Sequence, residues 1–183
     1  MGSITAFCIG VFLLYWPYLW CWYRREDPEL YGLRWSADRR AIAETLVVTA
    51  AVLAVLTAVA LAWPWEELPR RRGLRAVLEL AASGLAAAVI EETFFRGWLQ
   101  PVFARRLGPY AAIVAVNLIF APVHLFAAPY WISLCTFFPG LVMGWLKYRH
   151  DSLLPPALFH FLGNVWAICS SLRPWDFKNF IIL

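Results

Sequence analysis

Gly84-Leu85-Ala86-Ala87-Ala88-Val89-Ile90-Glu91-Glu92-Thr93-Phe94-Phe95-Arg96-Gly97-Trp98 is the stretch whose reading decides the fold. It sits inside a helical pattern that runs from Leu74 to about Phe103 and is broken only by Glu79, Glu91, Glu92 and Arg96 among its inner residues. About 20 mostly apolar residues suffice to cross the hydrocarbon core of a bilayer. A charge near the centre of that core costs about 2.5–3.5 kcal/mol on insertion scales, so such residues serve a function or pair with one another.

Working outward, five more apolar runs of similar length appear. They are Ser3 to Trp22, about Ala41 to Trp63, Tyr110 to Phe126, about Trp131 to Leu146, and Leu153 to about Leu172. Trp16, Trp20, Trp22 and Tyr23 gather at the end of the first, as an interfacial aromatic belt does. That run has no basic leader and no small-residue cleavage site, so it reads as a retained helix rather than a signal peptide. Gly108-Pro109 marks a turn, and the short Ala127-Ala128-Pro129 link sets the fourth and fifth runs antiparallel. The expectation is an all-α, polytopic transmembrane helix bundle of about six spans. Residues 1–73 supply two N-terminal transmembrane helices with basic loops, 74–172 the bundle that carries the chemistry, and 173–183 a tail suited to the interface.

Composition agrees. The 183 residues are 62% hydrophobic, 17% aromatic and only 15% charged, whereas a soluble domain carries about 25% charged residues. Disorder is excluded, since it needs low hydrophobicity, and the alternation of an outer-membrane barrel is missing. The net charge of +4 is not a nucleic-acid signature, because the basic residues cluster in loops beside apolar runs, where they set topology and meet lipid headgroups. Loops after the first, third and fifth runs hold Arg24, Arg25, Arg34, Arg39, Arg40, Arg105, Arg106, Lys147 and Arg149; the other side holds Arg70, Arg71, Arg72, Arg75, Arg173 and Lys178. Nine against six places the N-terminus outside. Cys8, Cys21, Cys135 and Cys169 form no CxxC pair and read as small apolar filler.

Chemistry is carried by the polar residues within the runs. Glu92 and Arg96 are four apart and can pair along one helix face, while Glu91 points about 100° away and is left over. His160 and Asn164 are also four apart, and His124 stands near the end of its run, close to Pro122. Taken singly, each has a plain structural use: an ion pair within a helix, or a polar side chain bonded to a neighbouring helix. Taken together, one carboxylate, two imidazoles and an amide on three helices are the parts of a hydrolytic site. The carboxylate can take a proton from water as general base, and imidazole and amide donors can stabilise an oxyanion. No GxSxG motif and no activated thiol is present, so water is the simplest nucleophile.

At these residues the chain resembles the CPBP family of intramembrane proteases, the type II CAAX prenyl endopeptidases and their bacterial relatives. Glu91-Glu92-Thr93-Phe94-Phe95-Arg96, Phe120 to His124, and His160 to Asn164 match its three motifs in order. The resemblance covers about Leu74 to Leu172 and implies Glu91 as catalytic base, His124 as holder of the water, and His160 and Asn164 as oxyanion donors. Glu92, Arg96 and Phe120 are then supporting residues. It also implies a membrane-associated protein or peptide substrate, residence in the bilayer, and, from the short chain, a bacterial or archaeal cytoplasmic membrane. A metal-free glutamate mechanism is the expectation. Glu91, His124 and His160 also make the two-His, one-carboxylate set of a zinc site, although the HExxH helix of zinc proteases is absent. A proton-coupled transporter or channel, or a non-catalytic immunity or scaffold protein, would use the same residues differently.

Overall fold

The computed structural model describes residues 3–62, 73–127 and 131–170. The Trp63-Pro64-Trp65 stretch, the Arg70 to Arg72 cluster, most of the 127–129 link, the last residues of the sixth run and the 173–183 tail lie outside the described residues. Within the described residues the chain is all-α. Its helices are α1 (Ser3–Arg24), α2 (Arg39–Ala62), α3 (Leu74–Phe94), α4 (Gln100–Leu107), α5 (Pro109–Ala127), α6 (Phe137–His150) and α7 (Leu154–Ser170). A π-helical turn, Phe95–Leu99, joins α3 to α4, so the run expected from Leu74 to Phe103 is one helical column reaching Leu107. The Gln100 N–H reaches five residues back to the Phe95 carbonyl, and that wider ring inserts one residue into the helix. The fifth run does not begin as an α-helix. It opens with a 3-10 turn, Trp131–Thr136, before α6.

Local chemistry places the ends. Asp38 Oδ1 accepts from the Ala41 N–H at 2.7 Å and starts α2. Gly108, at φ +79°, stops α4 in a conformation that a side chain would resist, and Pro109 begins α5. The charged stretch between α1 and α2 is not an open loop. Pro28–Tyr31 forms a 3-10 turn capped by Asp27, and the Arg34 carbonyl accepts from the Leu153 N–H at 2.7 Å. Arg105 lies over the Tyr31 ring at 4.3 Å, and Arg149 pairs with Glu44. These contacts bring Arg34, Arg105 and Arg149, three of the nine basic residues expected on one side, to one end of the bundle. Lys147, expected in a loop, belongs to α6; its ammonium is buried and bonds Asp151 Oδ1 at 3.0 Å.

The core lies between α3, α5, α6 and α7, where Phe95, Val116, Phe120, Met143, Leu146 and Phe159 pack together. Small residues let these helices approach closely, as in membrane bundles. A Cβ at Gly144 on α6 would stand 2.8 Å from Ile113 on α5, and Gly97 likewise admits Leu33 of the stretch between α1 and α2, 2.5 Å from where a Cβ would lie. The outside is apolar too. Over its most apolar 18 residues, α2 has a mean hydropathy of 2.5, yet only 17% of that window is buried. Water would oppose so much exposed Leu and Val, including Leu46, Val47, Val55 and Leu61. By length and composition α2 and α5 each suffice to cross a membrane, and α7 is a shorter apolar helix. Of the four cysteines only Cys21 is buried; Cys8, Cys135 and Cys169 are exposed on the apolar exterior, contrary to the filler expectation.

Candidate active site

The site is built around α3, near the middle of the column from Leu74 to Leu107 and about 25 Å from either end. Glu92 and Arg96 are both fully buried and pair as their spacing dictates, with Arg96 Nη1 3.1 Å from Glu92 Oε1. Arg96 cannot shed its charge, so its other contacts decide whether it is tolerated there. Nη2 donates to Asn117 Oδ1 on α5 at 3.1 Å and to the Gly140 carbonyl on α6 at 3.3 Å. The guanidinium also lies 4.1 Å from the centre of the Phe120 ring, a cation–π contact away from water. Three helices thus converge on one cation.

Glu92 Oε1 has a second partner, His160 Nδ1 at 2.9 Å across from α7. An ionised carboxylate only accepts hydrogen bonds, so Nδ1 carries the proton and Nε2 is turned away from Glu92. His124 is oriented in the same manner: its Nδ1 is 3.0 Å from the Phe120 carbonyl, which also only accepts. Both Nε2 atoms then face the same carboxylate oxygen. Glu91 Oε2 is 3.9 Å from His124 Nε2 and 3.9 Å from His160 Nε2. Those separations exceed a direct hydrogen bond and match the span that one small bridging molecule covers. Glu91 Oε2 is buried with no hydrogen-bond partner within the protein. Phe120 walls the group, edge-on to His124 at 4.5 Å and to His160 at 6.3 Å.

Glu91, Glu92, Arg96, Phe120, His124 and His160 are therefore brought together. Asn164 stands one turn beyond His160 on α7, and its Nδ2 donates to the Gly84 carbonyl at 3.1 Å. That bond uses one of the two amide protons, leaving the other to be aimed. Gly84 is the close neighbour that permits it, since a Cβ there would lie 3.2 Å from Asn164 Cβ. Zinc was the alternative occupant of the Glu91, His124 and His160 set. Tied Nδ1 atoms suit metal-ligating histidines, but among the described residues no group of three or more His, Cys, Asp or Glu side chains is arranged to hold a metal ion. The 3.9 Å separations also exceed the roughly 3.3 Å between donors around a tetrahedral zinc at about 2.0 Å.

Sequence reasoning missed Asn117 and Gly140, the two partners of Arg96 on α5 and α6. A signal existed for the first. Asn117, Phe120 and His124 follow at i, i+3 and i+7, so one face of an apolar helix carries all three. Gly140 and the π-helical turn had no comparable mark.

An all-α bundle that gathers a carboxylate, two oriented imidazoles and a buried ion pair among apolar helices has the build of a membrane-embedded hydrolase. The family model described as type II CAAX prenyl endopeptidase Rce1-like matches residues 72–166, more than half of the chain and all three motifs. The chain belongs to that family. It is a CAAX-protease-like endopeptidase, and the family is intramembrane. No curated protein and no solved structure matches it.

Proposed function

We propose that the chain is a multi-pass integral membrane endopeptidase. It hydrolyses a peptide bond of a membrane-associated protein or peptide with water activated by Glu91 and without a resident metal. The observation that carries this reading is the convergence of His124 Nε2 and His160 Nε2 on Glu91 Oε2, each at 3.9 Å, with both Nδ1 atoms tied elsewhere.

The chemistry follows from the donors available. Glu91 takes a proton from the attacking water as general base, while the His124 lone pair orients that water by accepting its other proton. The water oxygen bonds to the scissile carbonyl carbon, whose oxygen becomes an oxyanion. Asn164 offers its second N–H to that oxyanion, and His160 offers Nε2–H when its ring is doubly protonated. In that form Arg96 and the imidazolium balance the charges of Glu91 and Glu92, which favours the arrangement away from water. Collapse of the intermediate breaks the C–N bond, and Glu91 returns its proton to the leaving nitrogen.

The exposed apolar flanks of α2 and α5 support residence in the bilayer. The basic end of the bundle supports an orientation with the loops after α1, α4 and α6 facing the cytoplasm. The test compares wild type with Glu91→Gln in liposomes and in cells, by mass spectrometry of membrane-protein termini. New termini must appear with wild type and vanish with Glu91→Gln. A fully active Glu91→Gln protein removes the reading, and loss of activity with a strong chelator followed by return on adding zinc removes the metal-free version.

A further inference from the structure

Asn117 has no part in the chemistry above, yet it holds the residue on which the ion pair turns. We infer that Asn117 is a positioning residue for hydrolysis: it sets the ring of His160 by way of Arg96 and Glu92. The inference rests on the proposed role of that ring.

The geometry is a relay of fixed bonds. Asn117 is fully buried, and its Nδ2 donates to the Ile113 carbonyl at 2.7 Å. A carbonyl can only accept, so the amide is held with Oδ1 turned to Arg96 Nη2 at 3.1 Å. The Gly140 carbonyl takes the same Nη2 at 3.3 Å. A planar guanidinium held at one corner from two helices has its remaining N–H directions decided. Nη1 therefore meets Glu92 Oε1 at 3.1 Å, and that oxygen in turn accepts from His160 Nδ1 at 2.9 Å. Release of the guanidinium frees the carboxylate, and release of the carboxylate frees the ring that points Nε2 at Glu91.

Residue type supports the assignment. A neutral amide accepts from Arg96 without competing for its charge, so Glu92 stays the counter-ion. An aspartate at the same place would offer a second carboxylate and draw Arg96 from Glu92. Gly140 is matched to this amide: a Cβ there would lie 1.9 Å from Asn117 Oδ1 and displace it. The Nδ1 of His124 is set by the Phe120 carbonyl on its own helix and not by Glu92. It serves as an internal control.

The deciding measurement is nitrogen NMR of the full chain in detergent micelles with 15N-labelled histidine rings, the His160 signals being assigned by their loss in His160→Gln. Wild type shows one His160 ring state with Nδ1 protonated. In Asn117→Ala and Asn117→Asp the His160 signals shift or split while those of His124 stay in place. Where the Ala variant fails to fold, Asn117→Ser supplies a second small side chain. Glu91-dependent cleavage of membrane proteins slows about ten-fold, the scale set by one hydrogen bond to a charged group. A His160 ring unchanged in both variants overturns the inference, as does an equal disturbance of His124 and His160, which marks a merely structural role. Should Glu91→Gln cleave normally, the hydrolytic reading falls, and the ring spectra still decide whether Asn117 governs His160.

Discussion

Replacing Arg96 by Met keeps an unbranched side chain of similar length but removes the cation. Glu92 is fully buried, so its carboxylate would keep only His160 as a partner. Removing one partner of a buried pair costs about 3–5 kcal/mol, because the other charge is left uncompensated. The Asn117 amide oxygen and the Gly140 carbonyl lose a donor as well, which sets the expectation toward the upper part of that range. The double variant Glu92→Gln with Arg96→Met leaves no unpaired charge and recovers most of this loss. It does not recover cleavage, since a neutral amide at position 92 holds the His160 ring far more weakly. Unfolding of the purified protein in mixed micelles, followed by the fluorescence of its 11 tryptophans, measures the stability of all four proteins of the cycle. A cost below about 1 kcal/mol for Arg96→Met, or a double variant no more stable than the single one, refutes the view that charge compensation governs this pair.

Other expectations follow from the same structure. Glu91→Gln lowers cleavage by about 10²–10⁴-fold, the usual contribution of a general base, with little change in unfolding; equal losses of both would point to a structural carboxylate. Gly140→Ala forces a Cβ to 1.9 Å from Asn117 Oδ1 and destabilises the protein by about 1–3 kcal/mol in the same unfolding assay. Gly84→Ala presses on Asn164 at 3.2 Å and slows turnover while substrate binding holds, which a kcat against KM comparison would detect. Gly32→Ala costs about 1–2 kcal/mol, since φ is +68° and the new Cβ would meet the Lys147 ammonium.

Much of the candidate site was legible because spacing along a helix is geometry. Glu92 and Arg96 are four positions apart, and helical periodicity alone makes them neighbours and leaves Glu91 aside. The scarcity of charge in apolar runs made Glu91, Glu92 and Arg96 conspicuous, as it did the uncharged His124, His160 and Asn164. Bonds between helices were not legible. Nothing in the chain says that His160 meets Glu92 rather than Glu91 through Nδ1, or that Asn164 is tethered to the Gly84 carbonyl. The charged stretch after α1 read as a loop because its composition is polar, whereas the Asp27 cap and the contacts of Tyr31 fold it onto the bundle end.

What the sequence by itself determined was the class: an all-α bundle of apolar helices, the face each polar residue occupies on its own helix, and the three motifs in order. These follow from hydropathy and a period of 3.6 residues, which are local properties. Only the tertiary structure decided how the helices face one another. It put Asn117 and Gly140 on Arg96, gave Glu92 both a cation and an imidazole, and turned two imidazoles toward Glu91. The physical reason is that a buried charge needs partners, and several of those partners come from helices that a one-dimensional pattern cannot bring together.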